Sequence, residues 1–107
     1  MEKKFKIYKT NEFEKDFEKL DKSIKDRIEK EVIKLEINPY SGKPLGYKFF
    51  REKKIGGYRF YYLVYDEYVI VFIIAISSKK DQQKTIDIIK SLIPYYKEEI
   101  KKKLNLS

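Results

Sequence analysis

The chain has 107 residues, 42% apolar and 39% charged, with four Gly and three Pro, which sets the expectation of one domain over 1–107 rather than a disordered chain. It has no Cys and no His, so disulfides, thiolate nucleophiles, zinc–sulfur sites and imidazole acid–base chemistry are excluded together. The net charge of +8 is unevenly placed. Residues 1–40 nearly balance at +1, and residues 66–78 carry only Asp66 and Glu67. Residues 41–65 hold Lys43, Lys48, Arg51, Lys53, Lys54 and Arg59 against Glu52 alone, net +5. Eight Lys over 79–107 outweigh Asp81, Asp87, Glu98 and Glu99, net +4. A localised basic stretch is the electrostatic footprint of a polyanion partner. Of 25 basic residues only Arg27, Arg51 and Arg59 are arginines, and a guanidinium matches phosphate geometry as an ammonium does not.

In chain order, Met1–Phe5 lacks the apolar core of a signal peptide, and no run of ~18 apolar residues reads as a membrane span. With no Cys besides, the expected compartment is the cytoplasm, with no membrane partner. Lys4-Phe5-Lys6-Ile7-Tyr8 alternates with period two, a short strand. Thr10 or Asn11 caps a helix whose apolar side is Phe13, Phe17 and Leu20. Asp21–Ser23 recaps the chain, and Ile24, Ile28, Val32 and Leu35 continue the stripe until Asn38-Pro39 stops it. The result is an αα-hairpin suited to covering a sheet. Residues 39–49, rich in Gly and Pro, are expected to be a loop.

Three strands are expected over about 49–55, 58–65 and 69–76, with turns at Gly56-Gly57 and Asp66-Glu67. The last, Val69 to Ile76, is apolar throughout, which marks a central strand covered on both faces. A third helix over about 80–92 runs up to Pro94, and a separate segment, 95–107, reads as a frayed charged tail or as a helix docking over the functional face. The order β-α-α-β-β-β-α describes an α+β domain: a small antiparallel sheet with an N-terminal αα-hairpin packed on it and a C-terminal helix.

The run Gly57-Tyr58-Arg59-Phe60-Tyr61-Tyr62 through Asp66-Glu67, with Val71–Ile76 and the loop Asn38-Pro39…Gly42-Lys43-Pro44-Leu45, resembles the RelE/ParE toxin superfamily. The likeness covers the whole chain in element order and residues 38–80 in motif detail. RelE-like members are ribonucleases of type II toxin–antitoxin pairs that cut mRNA in the ribosome through the RNA's own 2′-OH, without metal or other cofactor. The resemblance therefore implies mRNA, the ribosome and an acidic antitoxin that folds on binding as partners.

The family's strand arginine falls on Arg59, and the basic residue after its last strand falls on Lys79. Its second-strand cations fall among Arg51, Lys53 and Lys54. Clustered cations lower a lysine's pKa, so Lys53, Lys54 and Lys79 are candidate bases, and Arg59 a clamp for the phosphate. We assign Arg59, Lys79 and Lys54 to catalysis and Arg51, Lys53, Tyr61 and Lys80 to RNA contact. Tyr61 shares a strand face with Arg59 and reads either as a base-stacking platform or as core. The other readings are a salt bridge from Arg59 to Glu52 and, for Lys79-Lys80, a solvated helix start. Lys80–Thr85 holds no Tyr where many RelE-like members carry one. That departure keeps open a ParE-like toxin acting on DNA gyrase, or an inactive protein of the same fold.

Overall fold

The computed structural model describes residues 3–106; of the N-terminal stretch read above, Met1 and Glu2 lie outside the described residues, as does Ser107. The elements are β1 (Lys6–Lys9), α1 (Asn11–Glu18), α2 (Lys22–Leu35), β2 (Lys43–Tyr47), β3 (Phe50–Ile55), β4 (Tyr58–Tyr65), β5 (Ile70–Ser78), α3 (Gln82–Ser91) and α4 (Ile93–Lys103), with 3-10 turns at Pro39–Ser41 and Asp66–Tyr68. One sheet runs in the order β1-β5-β4-β3-β2. The expected three-strand meander is present within one residue at its starts. β1 departs from it, lying parallel to β5 with Ile7 opposite Val71. An apolar β5 needs a neighbour on each side, and periodicity does not say which way that neighbour runs.

The stretch 39–49 is not only loop. Lys43–Tyr47 forms the edge strand β2, pairing antiparallel with β3 through a register shift between Pro44 and Tyr47. An outer strand tolerates a proline because only one of its sides must supply ladder hydrogen bonds. Gly46 takes φ +90 within that irregular stretch, a conformation open to glycine without steric cost.

Helices cover both faces of the sheet. Phe13, Ile28, Val32 and Leu35 pack onto Ile55, Phe60, Tyr62, Val64, Val71 and Ile73. On the other face, Ile86, Ile89 and Ile100 meet Phe50, Tyr61, Leu63, Tyr65, Phe72 and Ile74. α1 starts where the sequence placed it, with the Thr10 hydroxyl accepting from Phe13 N–H at 3.0 Å. The same hydroxyl donates to the Ile74 carbonyl at 2.6 Å, so one side chain caps a helix and ties it to β5. The C-terminal segment is not a frayed terminus. Pro94 sits in the first turn of α4, Ile100 is wholly buried, and the helix packs on the sheet at the Tyr65 end of β4.

Gly42 is demanded by space rather than by φ. Its N–H donates to the Tyr62 hydroxyl at 3.0 Å, and a Cβ there would stand 2.6 Å from the Glu52 carbonyl oxygen. Gly57 has open space around it. Gly42→Ala is therefore expected to cost about 1–3 kcal/mol, and Gly57→Ala close to nothing; urea midpoints at unchanged m-value measure both.

Burial raises the phenol pKa values of Tyr61, Tyr62, Tyr65 and Tyr96. Tyr40 is pushed up to about 12, first by burial and then by its hydrogen bond to Asp66. A phenol whose folded pKa exceeds its unfolded value, ~10, contributes stability that is whole below that value and is lost as pH rises through the folded one. Urea midpoints should fall from about pH 10 upward, and phenolate absorbance should develop at higher pH in the native chain than in the unfolded one.

Candidate functional site

A two-residue turn at Gly56-Gly57, with Gly56 at φ +57, sets the β3–β4 register. It places Lys54 opposite Arg59 and Glu52 opposite Tyr61. β5 then brings Ser77 opposite Arg59. These side chains share the sheet face that α3 and α4 cover, at the end away from α4. There an open cleft of about 430 Å³ is lined by Gly42, Lys43, Glu52, Lys54, Arg59 and Gln82, among others.

Arg59 is only 6% exposed. Its Nε lies 3.7 Å from Glu52 Oε1, close enough for charge attraction but too far for a hydrogen bond. Nε and Nη1 are buried without any hydrogen-bond partner. Glu52, also buried, is held by the Gln82 side-chain amide, which donates to its two oxygens at 2.8 and 3.2 Å. Native proteins seldom leave buried donors idle, because each costs about 1–3 kcal/mol. The expected Arg59–Glu52 pair is thus present, but it neutralises the arginine's charge without using those donors. An anion entering the cleft would find a guanidinium already fixed in place.

The other candidates divide by face. Lys54 is exposed and lines the cleft. Lys53 also lines the cleft but turns its ammonium toward α2, with Nζ 3.3 Å from Glu31. Arg51 follows the same parity: its Nε donates to the Gly42 carbonyl and its Nη1 to the Lys48 carbonyl, both at 2.8 Å. Its guanidinium also lies 5.4 Å from the centre of the Tyr40 ring, so Arg51 buttresses the chain leading into β2. Tyr61 corrects the stacking expectation. It is wholly buried and its hydroxyl shares a 2.7 Å hydrogen bond with Ser77 Oγ, so its ring is core and offers no platform to a base.

Lys79 and Lys80 are exposed in the β5–α3 connection. The Lys79 N–H donates to the Gly57 carbonyl at 3.0 Å, which keeps both lysines at the Arg59 end of the sheet although neither lines the cleft. Sequence reasoning missed Gly42, Lys43 and Gln82 as site components and knew Glu52 only as a possible partner of Arg59. For Glu52 the signal was available, since a two-residue turn fixes every cross-strand pair that follows. Gln82 enters from α3, and no local pattern places it.

Residues 7–83 match the family model described as the ParE toxin of the type II toxin–antitoxin system parDE. Among solved structures, the chain is similar to the intact Escherichia coli RelBE toxin–antitoxin complex, at 24% identity over 69% of this chain and 95% of that one, TM-score 0.64. A doubly substituted E. coli RelE toxin in the free state matches at 21% identity over 81% and 97% of the two chains, TM-score 0.70. The archaeal RelE–RelB complex from Pyrococcus horikoshii matches at 18% identity over 71% and 96%, TM-score 0.63. No curated protein matches the chain. The structural likenesses show the RelE fold, and with the family match over most of its length the chain belongs to the ParE toxin family, within the RelE/ParE superfamily of type II toxin–antitoxin toxins.

Proposed function

We propose that this toxin is a metal-independent, ribosome-dependent mRNA endonuclease in which the Arg59 cleft receives the scissile phosphate. The observation that carries the reading is the nearly buried, ion-paired Arg59, which lines a cleft together with Lys43 and Lys54. In the reaction the substrate's 2′-oxygen attacks the adjacent phosphorus while its proton is removed. The P–O5′ bond breaks and the leaving oxygen takes up a proton, so the products are a 2′,3′-cyclic phosphate and a 5′-hydroxyl. Charge builds on the non-bridging oxygens in between. A fixed cation aimed at that charge contributes about 3–4 kcal/mol, the size seen for single oxyanion-hole donors. Lys54 stands opposite Arg59 and is the residue we assign to proton transfer, with Lys79 and Lys80 at the same end of the sheet as further phosphate contacts.

The partner follows from the same family. Relatives have been crystallised as toxin–antitoxin complexes, and we infer a cognate antitoxin here, acidic to match the charge of +8 and folding on the toxin. A second reading, a toxin that binds DNA gyrase and does no chemistry itself, is favoured by the ParE family match and by the absence of any Tyr in Lys80–Thr85.

Primer extension on a defined mRNA with purified protein and matched ribosomes separates the two readings. Cuts that need ribosomes and survive EDTA are expected. If no cuts appear and cells expressing the protein show DNA damage while translation continues, the gyrase reading holds instead.

Removing Arg59 alone would strand the buried Glu52 charge, so the test variant is Arg59→Ala combined with Glu52→Gln. Cleavage should fall about 10²–10³-fold with a normal circular dichroism spectrum, against little loss of stability. Lys54→Ala, at an exposed position, should slow cleavage about 10²-fold or more with no change in melting temperature.

A further inference from the structure

A second depression lies beside the cleft and shares a wall with it. About 300 Å³ in volume, it is lined by Arg27, Lys30, Glu31 and Lys34 of α2 and by Lys54 and Ile55 of β3. Lys54 lines both depressions. On α2, Arg27, Lys30, Glu31 and Lys34 recur at the spacings that align side chains on one helix face. Arg27 reaches the β3–β4 turn, its Nη1 lying 3.4 Å from where a side chain on Gly56 would begin.

Four cations meet one carboxylate in this groove, and that carboxylate is already engaged. Glu31 lies 3.0 Å from Lys34 and 3.3 Å from Lys53, and these lysines, Lys34 first, hold its pKa below the usual value. Among the described residues, Arg27, Lys30 and Lys54 form no ion pair. A row of unneutralised cations running along a helix and into a cleft with a buried arginine matches a chain of evenly spaced negative charges. Its lining offers little to an acidic peptide that folds on binding, because such a peptide anchors through apolar side chains and Ile55 is the sole apolar residue lining the groove.

We propose that the α2–β3 groove carries the phosphodiester backbone of a single-stranded RNA that continues past Lys54 out of the Arg59 cleft. Arg27 and Lys30 are its phosphate contacts. The inference rests on the reading of the Arg59 cleft as an RNA site and adds the direction in which the strand leaves it.

The test is fluorescence anisotropy with the intact chain and oligouridylates of two lengths, one short enough for the cleft alone and one able to span both depressions, over a range of KCl. Arg27→Ala/Lys30→Ala removes two exposed side chains. It should weaken the long oligomer roughly tenfold near 0.1 M salt and lower the slope of log K against log salt by about 1.4, at ~0.7 per phosphate contact on a single strand. The short oligomer should bind as before. The cleft is read separately, since Arg59→Ala/Glu52→Gln should weaken both lengths.

If the α2 variant matches the wild type on the long oligomer while the cleft variant does not, the groove proposal is overturned and the cleft reading stands. If only the cleft variant is without effect, the cleft reading fails and the groove binds RNA in its own right, so the proposed continuity is wrong. A polyglutamate peptide that binds as tightly as the long oligomer, and loses as much in the α2 variant, would overturn the assignment to RNA. So would failure of the wild type to bind the long oligomer at low salt.

Discussion

β5 governs this fold, because every residue from Ile70 to Ile76 is apolar and a strand of that kind has no face that water can occupy. It must therefore be flanked by strands and covered on both sides. β4 and β1 supply the flanks, the α1–α2 hairpin covers one face and α3–α4 the other. The N- and C-terminal parts of the chain, which share little sequence character, are brought together by the same buried strand. The Thr10 hydroxyl bond to the Ile74 carbonyl shows the coupling at atomic scale.

The charged end of the sheet follows from where that coverage stops. α4 packs over the Tyr65 end of β4, and α3 begins beside Glu52 through Gln82. Between them the sheet face changes from apolar to charged: Leu63 and Tyr61 are core, and Arg59 one step further along carries an ion pair and idle donors. Burial stiffens the guanidinium. The two lobes of positive charge, one in the cleft and one on α2, meet at Lys54 because that residue stands at the end of β3 where both sheet faces are within reach of a long flexible side chain.

Much of this was legible in the residues. Helix starts at Thr10 and Asp21 and the three central strands all rest on local signals: caps, period-two runs and a paired-glycine turn. What escaped was non-local. The edge strand β2 sits in a Gly- and Pro-rich stretch whose composition argues for a loop, and only its pairing with β3 makes it a strand. Tyr61 shows the limit of parity. Alternation correctly placed it on the same face as Arg59, but whether that face is wet or covered at a given step depends on the position of α3, which no strand pattern records. The parting of Arg51 and of the Lys53 ammonium from Arg59 was, by contrast, implied by the two-residue turn.

The register shift between Tyr61 and Tyr62 against β5 inserts one extra residue, so that Ile73 and Ile76, three positions apart, face the α1–α2 layer, while Ser77 turns to meet Tyr61. Over the run Ile70–Ile76, apolar at every position, hydrophobicity cannot choose between registers, since sliding by one residue exchanges one apolar side chain for another. The choice falls to the polar end of β5. One hydroxyl pair, Ser77 with Tyr61, distinguishes the correct alignment from its neighbours, and the same alignment sets Ser77 opposite Arg59.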